Sequence, residues 1–453
     1  MRHFSPLRSL VMALPLLATT ACSDGALPGN EPAPSGGTSN GGSTGTAGGA
    51  SNAGAANGGA SAGMTTALGG NSQAGSGGLQ QTSGAGGGGA AAGQAGSAAG
   101  GGGSGGGSSA GVAAVVAAGV RWFGRVDVTA PNAIKFAWSG TGFVGTFTGA
   151  TVSVRLETEG AGDIYFQPVV DGVPGMRFPV AGGPKTYDIA TGLGAGSHEV
   201  ALYRESEGKG LPASVFSGFG AGTPGPPPPF SGRLIEVIGD SISAGFGNLG
   251  AEQHPNGAQD PNGGCSFETK TQSAYLAYGH VAARAVKADA SVLAGSGWGI
   301  YSDNGGNTQN VMPSLFTNTI GEQKTPAWTF TAKPQAIVIN LGTNDASAQN
   351  LSADKFKPAY GAFLATIRDK YPDTLILCAV GSMLSGVDRN NALMYLKELV
   401  ASRANQGDEK VKVLDLGTQD ALKGTGCSWH PNVAEDARMA GLLAAELKSS
   451  LGW

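Results

Sequence analysis

The chain has 453 residues, 79 of them glycine, and 28 Lys and Arg against 32 Asp and Glu, a formal charge of −4. Most of the glycine is crowded near the start, which leaves roughly three quarters of the chain for folding, room for two domains of ordinary size. A slightly negative charge with no basic run gives no electrostatic basis for binding nucleic acid or an anionic membrane surface.

The first 22 residues read as an export signal. Arg2 and Arg8 supply the positive region, and Leu10 to Ala18 is an apolar stretch too short to span a bilayer. Thr19, Thr20 and Ala21 then lead to Cys22. This resembles a bacterial lipoprotein signal, in which the cysteine is lipidated, although Thr19 stands where leucine is usual. The expectation is a lipid-anchored outer-membrane or cell-surface protein, or else a secreted one with an incidental cysteine. The lipid would be the chain's one contact with a membrane, because no later stretch is apolar for long enough to span one. Residues 23–112 are mostly Gly, Ala, Ser, Thr and Asn. Such a segment cannot bury enough surface to offset chain entropy, so it is expected to be a disordered spacer.

Residues 113–223 show short β patterns and no helical one. Thr151–Leu156 and His198–Tyr203 alternate polar and apolar residues, Ile164–Val170 is rich in β-formers, and the turn Asp171–Gly175 follows it. The pattern predicts a β-sandwich, jelly-roll-like, closed by a stiff proline-rich linker over 224–231. From 232 to 453 the grammar changes to βαβ. Apolar runs begin at Leu234, Ser291, Ala336, Leu375 and Val411, and amphipathic segments lie between them. Ala274, Tyr278, Val281 and Ala285 are expected on one helical face, and Phe356, Tyr360, Phe363, Leu364 and Ile367 on another. An α/β fold follows: a parallel sheet with helices on both faces, and a site beyond the carboxyl ends of its strands.

Four motifs fall at those strand ends. Gly239-Asp240-Ser241-Ile242 closes the first strand, Gly295-Ser296-Gly297 the second, Gly342-Thr343-Asn344-Asp345 the third, and Trp429-His430-Pro431 follows the fifth. Singly, each has a plain structural explanation: a helix cap, a Gly-rich turn, a turn-forming Asn, a structural histidine. Together they supply a serine nucleophile, oxyanion donors and a base. Of the five histidines, His3 lies in the signal, His198 in the β region, His254 in a loop and His280 on a helix, leaving His430 at the sheet's mouth. Three cysteines remain besides Cys22. Cys378 sits in an apolar run and is expected to be a buried thiol, whereas Cys265 and Cys427 sit in Gly-containing loops and are expected to pair.

The four motifs, in that order, resemble the SGNH (GDSL-type) hydrolases. Arg121-Trp122-Phe123-Gly124-Arg125, Phe136-Ala137-Trp138-Ser139-Gly140, Val170-Asp171-Gly172, Gly239–Asn248 and Cys265-Ser266-Phe267 resemble carbohydrate esterase family two, with a weaker likeness in Gly196–Val200. The resemblance implies a carbohydrate O-acetyl esterase acting on acetylated polysaccharides such as xylan or mannan, with no metal and no cofactor. Ser241 would be the nucleophile and His430 the base, and the N–H groups of Ser241 and Gly297 with the amide of Asn344 would hold the oxyanion. One departure stands out. The carboxylate usual two or three residues before the histidine is replaced by Ser428 and Cys427. A Ser-His dyad with a backbone carbonyl orienting His430 is therefore expected, with no essential role for the Ser428 side chain and with Asp436 as a lesser substitute. Trp298, Tyr301 and Trp429 are either core or a sugar-stacking wall. A glycan-binding protein without turnover, and a lipase or thioesterase on the same fold, are the other readings.

Overall fold

The computed structural model describes residues 115–253, 265–347, 350–420 and 425–453. The signal, Cys22, the Gly-rich segment and His254 lie outside the described residues.

Ten strands form the first region: β1 (Val115–Ala117), β2 (Val120–Phe123), β3 (Ile134–Phe136), β4 (Gly142–Thr158), β5 (Ile164–Val170), β6 (Val173–Pro174), β7 (Phe178–Val180), β8 (Lys185–Thr191), β9 (Ser197–Arg204) and β10 (Ser214–Pro224). β4 is 17 residues long and serves two layers. Its first half pairs with β2 and β9, its second with β8, and β10 runs along the second half and reaches back to Phe147 and Thr148. Gly149, at φ +123°, sits between the two registers, where a bend requires a conformation that side chains resist. Around β4 the strands enclose one aromatic-rich core containing Trp122, Phe136, Phe143, Phe147, Phe166 and Phe216. The proline-rich linker, residues 224–231, starts where β10 ends. It folds back on this region, and the carbonyls of Pro226 and Pro228 accept from Thr146 Oγ1 at 2.6 Å and Arg121 Nε at 3.2 Å.

The second region is a five-stranded parallel sheet in the order β12-β11-β15-β16-β17, from β11 (Leu234–Gly239), β12 (Asp289–Ala294), β15 (Ala336–Asn340), β16 (Leu375–Val380) and β17 (Val411–Asp415). A small antiparallel pair, β13 (Asn318–Ile320) and β14 (Gln323–Ala327), precedes β15. Every residue of β11, β15 and β16 is buried, as a sheet covered on both faces demands. One face is covered by α4 (Ala353–Lys370) and α5 (Gly386–Asn405), the other by α2 (Tyr278–Ala285) and α6 (Val433–Leu451). Among the described residues no helix is long and apolar enough to cross a membrane.

The face expected on α4 is the buried one. That of α2 is rotated. Tyr278, Ala282, Ala283 and Val286 are buried, Val281 is half-buried and Ala285 is exposed. The helix starts only at Tyr278, whose N–H is held by Asp436 Oδ1 of α6 at 3.1 Å, while Ala274 is buried outside it with its N–H on the Glu205 carbonyl at 3.3 Å. Tertiary partners fix this helix's phase, not its own periodicity.

The two regions are joined by buried charge. The Arg125 guanidinium meets the Glu236 carboxylate on β11 at 3.2 Å and donates to the Phe316 and Asn318 carbonyls at 2.6 and 2.9 Å. Arg121 of β2 pairs with Asp289 of β12. A buried pair of this kind is costly to break from one side, because an unpartnered charge is left behind.

Candidate active site

β11 ends at Gly239, where a Cβ would run into the Ser243 side chain. Asp240, not Ser241, caps the short helix α1 (Ser241–Ala244), accepting the Ile242 N–H at 3.0 Å. Ser241 is thus the first helical residue, and at 6% exposure it is less open than its place at the end of a strand suggests.

His430 covers it. The Nε2···Oγ distance is 2.7 Å across 189 positions of sequence. On the other side of the ring, Nδ1 lies 2.8 Å from the Ser428 carbonyl oxygen. A carbonyl can only accept, so Nδ1 carries the proton, Nε2 is left as an acceptor, and the Ser241 hydroxyl donates to it. That is the tautomer a general base needs. Burial pushes the imidazolium down to about 4, against the opposing pull of the Ser428 and Cys427 carbonyls, so the base is neutral over the physiological range.

The loop carrying His430 has little regular structure of its own. Ser428 and Trp429 occupy the left-handed region, at φ +51° and +65°. What holds them comes from elsewhere. Cys427 is disulfide-bonded to Cys265, the Ser428 N–H donates to the Cys265 carbonyl at 2.8 Å, and the Cys427 N–H donates to the Gly247 carbonyl at 2.9 Å. The Phe246 ring lies 4.4 Å from the His430 ring and is itself stacked on Phe267 at 3.8 Å. Asp436 takes no part. Its carboxylate, buried in α6, accepts from Asn248 Nδ2 and the Tyr278 N–H.

The expected oxyanion groups meet at the same rim. β12 runs into a tight turn closed by Trp298 N–H to Gly295 O at 3.1 Å, whose third residue, Gly297, has φ +79°. The Asn344 amide, on α3 (Thr343–Ser347), is not free: it donates to Asp240 Oδ2 at 3.3 Å and to the Trp298 carbonyl at 3.2 Å. It therefore ties three of the four motifs together, and donating to an oxyanion would mean exchanging one of these weak bonds. Its neighbour Asp345 accepts from the N–H groups of Ile300, Tyr301 and Ser302 at 2.7 to 3.0 Å, pinning the loop that follows Gly297. Burial pushes the Asp240 carboxyl up to about 7.

Sequence reading gave Asp240, Asp345 and Phe246 no role. The first two stand inside the motifs beside the named residues, and that adjacency was the available signal. Phe246 had none. Of the three aromatics, Trp298 is core, Tyr301 is half-buried, and Trp429 is 40% exposed next to His430. His198 bonds Asp171 on the sandwich, and His280 is buried where Gly140 leaves room for its ring. Cys378 is a buried free thiol. Among the described residues no cluster of His, Cys, Asp and Glu could hold a metal.

Comparison with known proteins places both regions of the chain in known families. Residues 122–229 match the carbohydrate esterase 2 N-terminal family, and residues 237–438 match the GDSL-like lipase/acylhydrolase family. A family two carbohydrate esterase from Clostridium thermocellum, solved in complex with cellohexaose, is 35% identical with a TM-score of 0.68, covering 74% of this chain and 99% of its own. The cellulase/esterase CelE of Acetivibrio thermocellus is 34% identical over 339 residues, 74% of this chain, which spans only 40% of that larger protein. An acetylxylan esterase/glucomannan deacetylase of Cellvibrio japonicus is 26% identical over 352 residues, 73% of this chain and 90% of its own length. The chain belongs to carbohydrate esterase family two.

Proposed function

We propose that this chain is an O-acetyl esterase of acetylated polysaccharides of the xylan or mannan type, working through a Ser241–His430 dyad. The observation that carries the reading is the hydrogen-bond relay Ser241 Oγ to His430 Nε2, then Nδ1 to the Ser428 carbonyl, at 2.7 and 2.8 Å. The acetylxylan esterase/glucomannan deacetylase relative supports the substrate class.

In the first half-reaction Ser241 Oγ attacks the acetyl carbonyl carbon while His430 Nε2 takes the hydroxyl proton. The oxyanion is met by the N–H groups of Ser241 and Gly297 and by the Asn344 amide, once the last exchanges one of its present acceptors. The intermediate collapses, the sugar oxygen leaves with the proton from His430, and acetyl-Ser241 remains. Water, deprotonated by His430, then releases acetate and restores the serine. With no carboxylate on the ring, the imidazolium formed in each step is stabilised by a neutral carbonyl alone, a weaker partner than the carboxylate of a triad.

The test is release of acetate from acetylated xylan and from a chromogenic acetyl ester by the wild type beside Ser241→Ala. Equal turnover by the two proteins refutes the assignment. A preference for long acyl chains would instead mark a lipase or thioesterase. A second reading, glycan binding at the same site, is favoured by the exposed Trp429 beside His430 and by the cellohexaose bound to the Clostridium thermocellum esterase. Wild-type affinity for a soluble β-glucan, lost in Trp429→Ala, would establish it. Export and a lipid on Cys22, after which the Gly-rich segment would act as tether, form part of the proposal and rest on the sequence motif alone.

A further inference from the structure

The turn that carries Gly297 is held from outside its own domain. The segment joining β9 to β10, residues 205–213, belongs to the sandwich in sequence but lies against the rim of the parallel sheet. Fully buried Arg204 stiffens it from within, donating to the carbonyls of Ser206, Glu207 and Pro212 at 3.0, 3.0 and 2.9 Å and to Ser214 Oγ at 2.5 Å. From this base the segment reaches two parts of the site. The Glu207 N–H donates to Gln272 Oε1 at 3.3 Å, and Gln272 Nε2 donates at 3.0 Å to the carbonyl of Ala244, the last residue of the nucleophile's helix. The Glu207 carboxylate accepts the Ser296 N–H at 2.9 Å, immediately before Gly297. Lys209 adds its ammonium 5.8 Å from the Trp298 ring, immediately after Gly297.

Two of the four residues in the Gly295–Trp298 turn are glycines, the residues with most backbone freedom, so an external acceptor matters more here than in an ordinary turn. Glu207 is 4% exposed, and burial pushes its carboxyl up to about 6, against the Ser296 groups that favour the charged form. A buried carboxylate kept in that state marks a group with a task beyond solubility.

We propose that Glu207 of the sandwich region is a positioning residue for the esterase reaction: by gripping the Ser296 N–H it sets the Gly295–Trp298 turn and the direction of the Gly297 N–H. This deepens the proposed function and rests on it. The sandwich then supplies part of the oxyanion geometry instead of standing beside the catalytic domain as an accessory.

The test uses the full chain with a chromogenic acetyl ester, comparing Glu207→Ala, Glu207→Gln and Glu207→Asp beside Ser241→Ala. Glu207→Ala is expected to lower kcat by about tenfold to a hundredfold with KM within about twofold, the signature of a contact that matters in the transition state. Glu207→Gln keeps an acceptor of the same length and should stay within about threefold of wild-type kcat. Glu207→Asp keeps the charge but withdraws the acceptor, and should fall with alanine; it carries the test if the alanine variant does not fold. A merely structural role would lower melting temperature without splitting kcat between Gln and Asp. Wild-type kcat in both Gln and Asp variants, with Ser241→Ala inactive, overturns the positioning role alone. A fully active Ser241→Ala overturns the esterase reading beneath it.

Discussion

The nucleophile and its base are held by opposite means. Ser241 sits in a short, local device: a fully buried strand, a glycine where no Cβ fits, and an aspartate capping four residues of helix. His430 sits on a loop with two left-handed residues and borrows its order from residues 246–247, 265 and 267. In a triad, a carboxylate both aligns the imidazole and stabilises its charge. Here alignment passes to a backbone carbonyl, and rigidity to a crosslink and a stack of rings. A nucleophile can thus be built from sequence neighbours, while a base without a carboxylate needs distant ones.

Four substitutions test the contrast between the two residues. The largest effect is expected from His430→Ala, which removes the proton acceptor from both half-reactions. Acetate release should drop by about a thousandfold or more while the fold survives, as thermal unfolding will show. Opening the crosslink comes next. Cys265→Ser should cost about 3–5 kcal/mol in denaturant unfolding, since the bond spans 162 residues, and lower kcat about tenfold by loosening the base. Unchanged kcat with lowered stability would mean that the loop holds His430 unaided. Phe246→Ala removes the ring against the imidazole and should reduce kcat several-fold, with reactivity of Ser241 toward a small fluorophosphonate falling in step because the base is shared. The smallest effect belongs to Ser428→Gly. It keeps the carbonyl and relieves a left-handed residue, so kcat should stay within about twofold and stability hold or rise by up to about 1 kcal/mol.

The pH profile tests the same contrast from the base's side. His430 must be neutral to accept a proton, and its pKa lies at about 4 in the free protein. The acid limb of kcat/KM should therefore fall between about pH 4 and 5, well below the 6.5 of an unperturbed histidine. Burial lowers the folded pKa, so stability contributed by neutral His430 is complete above about 6.5 and is lost as pH falls toward 4. An acid limb between about 6 and 7 that persists in Glu207→Gln would point to the Asp240 carboxyl, at about 7, or to an imidazole more open to water than this packing implies.

Much of this is legible in the sequence. Parallel strands buried on both faces read as unbroken apolar runs, and Leu234, Ala336 and Leu375 each open one. Ser241 and His430 can be named because the chemistry collects at strand ends, and the resemblance to the SGNH hydrolases, whose usual carboxylate is missing at Cys427 and Ser428, points to a carbonyl. The phase of α2 was not legible, because Asp436, far along the chain, sets its start. Nor was the engaged state of the Asn344 amide, which depends on where Asp240 and the Trp298 carbonyl fall. Glu207 was invisible for the same reason: its partner lies 89 positions away in the other region.

The Cys265–Cys427 bond closes a ring of chain that contains every strand of the parallel sheet except β11. A protease that nicks an exposed stretch inside that ring, such as residues 303–310, would leave the fragments covalently joined. The piece bearing the base would then stay tethered to the piece bearing the nucleophile. Nicked protein should run as one species on a non-reducing gel and as two after reduction, and should keep its activity until the thiols are freed.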